Sequence, residues 1–328
     1  MKNYLIALFL LLNSTAVFAG EALDKRRNIN IEADNDMISG TDKHFTHGTK
    51  ITYVSGENDA PKWLLDTADK VPFFDDGGKT RYSFALGQNI YTPSDIKLNN
   101  PPLDDRPYAG WLYASAGLMS DAGNRLDNLE FTVGVVGPAS QAGATQKWVH
   151  KNISDSPTPR GWHTQLKDEL GLMVTYERMW RIMSPLEFAG FEADFMPHAG
   201  GSLGNVFTNV GAGGTFRFGL NLPSDYGPPR ISPSLPGSSF FKPIDGFLLY
   251  GFAGFNGKCV GRNIFLDGNT FTDSRSVDKK LFVGDMQAGV VFGFKNIRLS
   301  YTKVFRTEEF EKQQNPDKFS SINVNFAF

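Results

Sequence analysis

The chain has 328 residues, and its 33 Lys and Arg against 35 Asp and Glu give a formal net charge of −2. That balance excludes an electrostatic footprint for nucleic acid and any strongly basic overall surface for anionic lipid. A single cysteine, Cys259, excludes an intrachain disulfide, and 28 Phe with 34 Gly suit a β-rich chain better than a helical bundle.

The N-terminus opens with Lys2, continues with an apolar run from Tyr4 to Leu12, and reaches a small residue at Ala19. A positive start, a short apolar core and a small residue before the break define a secretory signal peptide, residues 1–19, with the mature chain at 20–328. The apolar core is too short to span a bilayer comfortably. After it no run of 18 apolar residues occurs, so a mature chain that enters a membrane must do so as a closed barrel.

From Asn28 onward apolar and polar residues alternate, interrupted by Gly- and Pro-rich segments. The pattern predicts twelve strands at 28–36, 45–56, 80–91, 108–119, 126–136, 169–182, 186–198, 205–221, 245–258, 279–294, 296–306 and 318–328. The last is the clearest, with Ile322, Val324, Phe326 and Phe328 separated by Asn and Ala. Apolar residues facing out and polar ones facing a lumen are the signature of a transmembrane antiparallel β-barrel, and a terminal aromatic resembles an outer-membrane assembly signal. A soluble sandwich also alternates. The leader, the length of the strands and aromatics near strand ends, such as Tyr91, Trp111 and Trp180, favour the barrel.

With the first strand rising from the periplasm, 37–44, 92–107, 137–168, 199–204, 259–278 and 307–317 become outer loops. The inner connections include short turns near 183–185 and at Lys295, and two long ones, 57–79 and 222–244. Trp63, Leu64, Leu65 and Ala68 recur at helical spacing in the first long one. A short helix is expected in the outer loop as well, because Gln141 to Ile153 contains no Pro and sets Gln146 and His150 on one helical face.

Three polar segments fall on the outer rim. Glu32-Ala33-Asp34-Asn35-Asp36 could offer oxygen ligands to a hard cation, although the spacing is not that of an EF-hand, and an ordinary polar turn reads the same. His150 could act as a general base with Gln146 beside it, but His44, His47, His163 and His198 are alternatives. Residues 88–111 carry Lys97 and Arg106, suited to phosphates or an oxyanion. No H-E-x-x-H, C-x-x-C or G-x-S-x-G motif occurs.

In order along the chain, Asn35-Asp36, Phe45-Thr46-His47-Gly48, Gln88 to Ser94, Asp105-Arg106-Pro107-Tyr108-Ala109-Gly110-Trp111, Val136-Gly137-Pro138, Gln146 with His150, and Gly161-Trp162 with Gln165-Leu166 resemble the outer-membrane lipid A 3′-O-deacylases. The resemblance implies a twelve-stranded barrel and a Ca²⁺-dependent esterase acting on lipid A of lipopolysaccharide in the outer membrane; a monomer is expected. It implies His150 as the base on a water, Asn35, Thr46 and Gln146 as essential site residues, and Asp36 as a calcium ligand. Two positions depart from the family pattern. Lys97 matches the family's active-site Lys only after a one-residue shift, and the acidic residue expected six positions past the His falls on Ser156, with Asp155 beside it as the candidate ligand. The competing reading is a non-catalytic channel or adhesin, which would keep an open bore; a serine-based phospholipase finds no Ser–His spacing to recommend it.

Overall fold

The computed structural model describes residues 23–36, 44–154, 156–182, 186–227 and 240–328, with 186–188 described by backbone alone. The expected signal peptide and Asp155 lie outside the described residues. The alternating segments form strands β1 (Asn28–Asn35), β2 (His44–Val54), β3 (Lys79–Thr92), β4 (Ala109–Asp121), β5 (Arg125–Val136), β6 (Glu169–Trp180), β7 (Leu186–Phe188), β8 (Phe191–Gly204), β9 (Phe207–Leu220), β10 (Phe247–Asn263), β11 (Phe282–Phe294), β12 (Ile297–Arg306) and β13 (Asp317–Ala327). Short helices interrupt them: α1 (Lys62–Ala68), α2 (Ala142–Val149) and α3 (Ile264–Asp267).

Each strand pairs antiparallel with its neighbour, β1 pairs with β13, and β6 pairs with β8, so twelve long strands close on themselves. Closure leaves no edge with unpaired backbone groups, which is the condition for a sheet in lipid. The pleat then sorts the side chains. On β13, Ile322, Val324 and Phe326 are exposed to the outside, while Asn323 and Asn325 are buried in the lumen.

Two expectations need correction. The segment expected as one strand at 186–198 is a hairpin: β7 turns through Ala189 and Gly190, both at positive φ (52° and 83°), into β8. The expected outer loop 199–204 is the end of β8, in register with β6 from Met179↔His198 to Met173↔Gly204. Its Ala-Gly-Gly-Ser-Leu-Gly composition reads as a loop. Yet a Cβ on Gly200 or Gly204 would collide with the β6 backbone, so the glycines are what allow the close approach.

The lumen is filled. Tyr91, Trp111, Phe207 and Phe265 pack together near the outer mouth, where α3 buries Ile264, Phe265 and Leu266. Deeper, Arg217 is buried between Asp194 and Asp225, and Arg298 reaches the same Asp225 at 2.7 Å. Asp225 belongs to the long inner connection, which brings Tyr226, Phe240 and Phe241 into buried clusters rather than hanging free. Buried ions survive here because each is paired and hydrogen-bonded. A pocket of about 90 Å³ is lined by Glu177, His198, Lys258, Asp285 and Arg306, room for several waters.

Candidate active site on the outer wall

At the outer ends of β1 and β2 the backbone N–H of Asp36 donates to the Thr46 carbonyl at 3.4 Å. The β2–β3 register slips between Phe45 and His47, so Thr46 is the extra residue of a β-bulge. Its hydroxyl meets that of Thr92 at 2.7 Å, tying the bulge to the end of β3. Thr46 and Asp36 are both buried. Asn35 shares the lipid-facing side of β1 with exposed Ile29 and Ile31.

The long outer loop does not stand over the mouth; it folds back onto the outside of the barrel. Gly137, at φ 102°, turns the chain out of β5 into a tight turn at Pro138–Ser140, and Gln141, at φ 60°, starts α2. Ser140 donates its hydroxyl to the Gly137 carbonyl at 2.6 Å, and Gln88 of β3 donates its amide to the Ser140 carbonyl at 2.7 Å. Ile90 settles which face is covered. It shares a face with Phe84 and Leu86, which are 55% and 59% exposed, yet it is 1% exposed itself. Ala142, Ile96, Tyr108 and Trp162 form the cluster that buries it. The helix therefore lies along the lipid-facing wall over β3 and β4.

Gln146 and His150 share the buried face of this segment, as their spacing predicted. Trp162 donates its indole N–H to Gln146 Oε1 at 2.7 Å. At His150 the helix widens into a π-type turn over His150–Ser154, a distortion that recurs at functional sites. His150 Nδ1 lies 2.8 Å from the Pro157 carbonyl oxygen. A carbonyl can only accept, so Nδ1 carries the proton, and in the neutral ring Nε2 is the basic nitrogen.

The β3–β4 loop braces the assembly. Arg160 N–H donates to Ile96 O at 3.0 Å, Leu166 N–H to Tyr108 O at 3.0 Å, and Tyr108 packs on Trp162 at 4.9 Å between ring centroids. Lys97 is exposed on this loop, its backbone N–H held by Asp95 at 2.9 Å. The structure thus unites Gln146 with His150, and Asp36 with Thr46, on one rim of four consecutive strands. Of the other histidines, His47 meets Thr49 and His198 faces Asn256 in the lumen, while His163 is exposed. Among the described residues no three His, Cys, Asp or Glu converge as a metal cage. The oxygens of Asp36, Asn35 and Thr46 are nevertheless of the hard type that Ca²⁺ takes.

Sequence reasoning missed one polar cluster. His44 Nδ1 lies 2.6 Å from Asp317, 273 positions away, and Nε2 lies 3.1 Å from Ser94 Oγ. Ser94 in turn donates its hydroxyl to Asp105 at 3.2 Å and its N–H to the same carboxylate at 2.7 Å. Burial alone would raise the Asp105 carboxyl, but the facing His44 ring and the N–H groups of Ser94 and Arg106 hold it below the ordinary carboxylate range. Next to it Arg106 pairs with buried Glu309 at 2.6 Å. Both ring nitrogens of His44 thus face acceptors, an arrangement met by an imidazolium. The cluster clamps the β3–β4 loop to the ends of β2 and β13.

A closed antiparallel barrel with an apolar outer face and a lumen of buried polar side chains defines an outer-membrane barrel protein. The family model described as Outer membrane protein LpxR matches residues 5–328, and the chain belongs to that family. Among solved structures it is similar to LpxR from Salmonella typhimurium, with 19% identity, a TM-score of 0.75, and coverage of 92% of this chain and 100% of that one. It also matches the β domain of the Bordetella autotransporter BrkA at 10% identity and a TM-score of 0.40, covering 94% of this chain and 100% of that one. The outer membrane enzyme PagL matches at 10% identity and a TM-score of 0.28, covering 48% of this chain and 90% of that one. No curated protein sequence matches the chain. Family membership makes it a lipid A deacylase of the bacterial outer membrane.

Proposed function

We propose that the protein, acting as a monomer, hydrolyses the 3′-linked acyloxyacyl ester of lipid A with a water activated by His150. The observation that carries this reading is the His150–Pro157 bond: it fixes the ring tautomer with Nε2 as base, on a segment packed against the lipid-facing wall. Nε2 takes a proton from water as the oxygen attacks the ester carbonyl. The bond from acyl carbon to sugar oxygen breaks, and the proton passes from Nε2 to the departing oxygen. Such acid–base assistance is worth about 10²–10⁴-fold. The Gln146–Trp162 bond holds the helix face that presents the ring. Asn35, on the lipid-facing side, orients the sugar, and Thr46 keeps the rim in register. Lys97 contributes a positive charge above the wall. Asp36, with Asp155 as a second candidate, would hold Ca²⁺, which when bound would stabilise the developing oxyanion. The acyl chains stay in the bilayer throughout.

The test is purified protein with lipid A, with Ca²⁺ or a chelator, reading fatty acid released and lipid mass. His150→Ala is expected to lose about 10²–10⁴-fold in kcat, and chelator is expected to abolish turnover. Wild-type rates in either would sink the mechanism.

A second reading rests on the Ser94–His44–Asp317 contacts, which have the connectivity of a serine hydrolase triad. Against it, Asp105 accepts a hydrogen bond from the Ser94 hydroxyl and both nitrogens of His44 face acceptors, so the ring is poorly placed to accept that proton. Labelling of Ser94 by a fluorophosphonate would favour this reading over the His150 water.

A further inference from the structure

The strand register places a row of polar side chains at one level of the outer wall. Lys303 of β12 pairs with Ser320 of β13, Ser320 with Asn35 of β1, and Asn35 with His47 of β2. The row continues through Ile90 to Gly110, on which α2 rests. All four polar residues face lipid by alternation. Lys303 lies between exposed Tyr301 and Phe305, Ser320 meets the Tyr301 hydroxyl at 3.1 Å, Asn35 follows Ile29 and Ile31, and His47 precedes Ile51.

Lys318, one pleat above Ser320 and opposite Phe305, adds a second cation. Its Nζ lies 5.8 Å from the Phe305 ring centroid and that of Lys303 lies 5.9 Å from the same centroid, so one aromatic ring gathers both ammonium groups. Around Lys303 the cross-strand neighbours are Ala288 and Ser320, and the same-face neighbours are Tyr301 and Phe305, none of them acidic. A lysine on the lipid face of a barrel costs stability with depth. Two gathered at the outer rim are expected where the membrane itself supplies anions. Adjacent strands are about 4.8 Å apart, so Lys303 stands about 10 Å from Asn35, the reach of a disaccharide headgroup.

We propose that Lys303 and Lys318 form a phosphate-binding subsite for the phosphorylated glucosamine headgroup of lipid A, orienting the substrate along the row toward His150. This rests on the deacylase reading above. Near an anionic surface each lysine is expected to be worth about fivefold in affinity, about 25-fold together.

The experiment compares wild type, K303Q, K318Q, the double variant and K303R on bisphosphorylated and fully dephosphorylated lipid A in mixed micelles. Binding of both lipids to His150→Ala protein, with and without the double substitution, is measured in parallel. Wild type should show a lower KM for the phosphorylated lipid, and the preference should fall about fivefold in each single Gln variant and vanish in the double. K303R should keep the preference. The change belongs in KM, not kcat. Equal KM for the two lipids in wild type, or a preference that survives the double substitution, would overturn the subsite. If wild type releases no fatty acid from either lipid, the deacylase reading fails. The binding arm then decides the subsite by itself.

Discussion

Gly110→Ala tests whether the wall-mounted helix carries the chemistry. Gly110 lies on the outward face of β4, and a Cβ there would interpenetrate Ala142 Cβ and Ser140 Oγ. Neither can yield easily. Ser140 is pinned by its bond to the Gly137 carbonyl and by Gln88, and Ala142 is buried in the contact with Ile90, Tyr108 and Trp162. Carbon atoms rest at about 3.5–4.0 Å, so one methyl must lift the start of α2 by about 1 Å or more. Overpacking of this kind costs about 1–3 kcal/mol locally, well short of opening a barrel closed by continuous strand pairing. A reactive group misplaced by about 1 Å loses on the order of 10²-fold in rate. The expected outcome is therefore a folded protein with kcat/KM for lipid A deacylation down about 10²-fold. Gly257→Ala on β10, where an added Cβ meets nothing within 4 Å, should behave as wild type. Wild-type turnover by Gly110→Ala would refute the assignment of the reactive residues to this helix.

Three further outcomes follow from the rim and the lumen. Burial raises the carboxyl of Glu309, but Arg106 and Arg306 more than offset it and hold it below the ordinary range, as the His44 cluster does for Asp105. Depressed carboxylates contribute stability above their unfolded pKa of about 4 and lose it as pH falls through the folded value. Detergent-solubilised protein should thus melt at a lower temperature at pH 3 than at pH 7. Glu309→Gln should cost about 3–5 kcal/mol at pH 7 by stranding buried Arg106, and its melting should respond less to acid than that of wild type; an unchanged pH response would count against the clamp. In planar bilayers wild type should pass no steady current, because Phe265 stacks on Tyr91 at 4.0 Å between centroids and packs at 5.4 Å against Phe207 near the outer mouth. Stepwise conductance would revive the channel reading.

The strands were legible because alternation is a local property: a strand buried on one side and facing lipid on the other writes its pleat directly into the sequence. The helix bearing Gln146 and His150 was legible for the same reason, since i and i+4 define a face whatever lies beneath it. Position was hidden. Nothing near Gln141 says that α2 folds down onto β3 and β4; that depends on Gly110, 31 positions earlier, having no side chain. The end of β8 was misread because its glycines serve contact with β6, and contact is not written in composition. His44, Ser94, Asp105 and Asp317 were invisible as a unit because closure of the first strand on the last is what brings β13 within reach of β2, with only β1 between them.

The same closure explains why the candidate site is outside the barrel. The lumen is committed to aromatic plugs and to ion pairs such as Arg217 with Asp194 and Asp225, whose desolvation leaves no slack for a substrate to displace them. An acylated glycolipid moreover has its chains in the bilayer, and drawing them into a polar bore would lose about 0.8 kcal/mol per methylene. A site on the outer wall avoids that cost, but it must hold polar groups at a surface that otherwise faces lipid. The bulge at Thr46, the covering of Ile90 by α2, and the row from His47 to Lys303 are the means by which one sector of the wall becomes polar enough for hydrolysis. The rest of the belt, from Phe292 on β11 to Phe326 on β13, stays apolar. Polar substitutions there should affect insertion and stability, whereas changes within the row should affect which lipid is turned over.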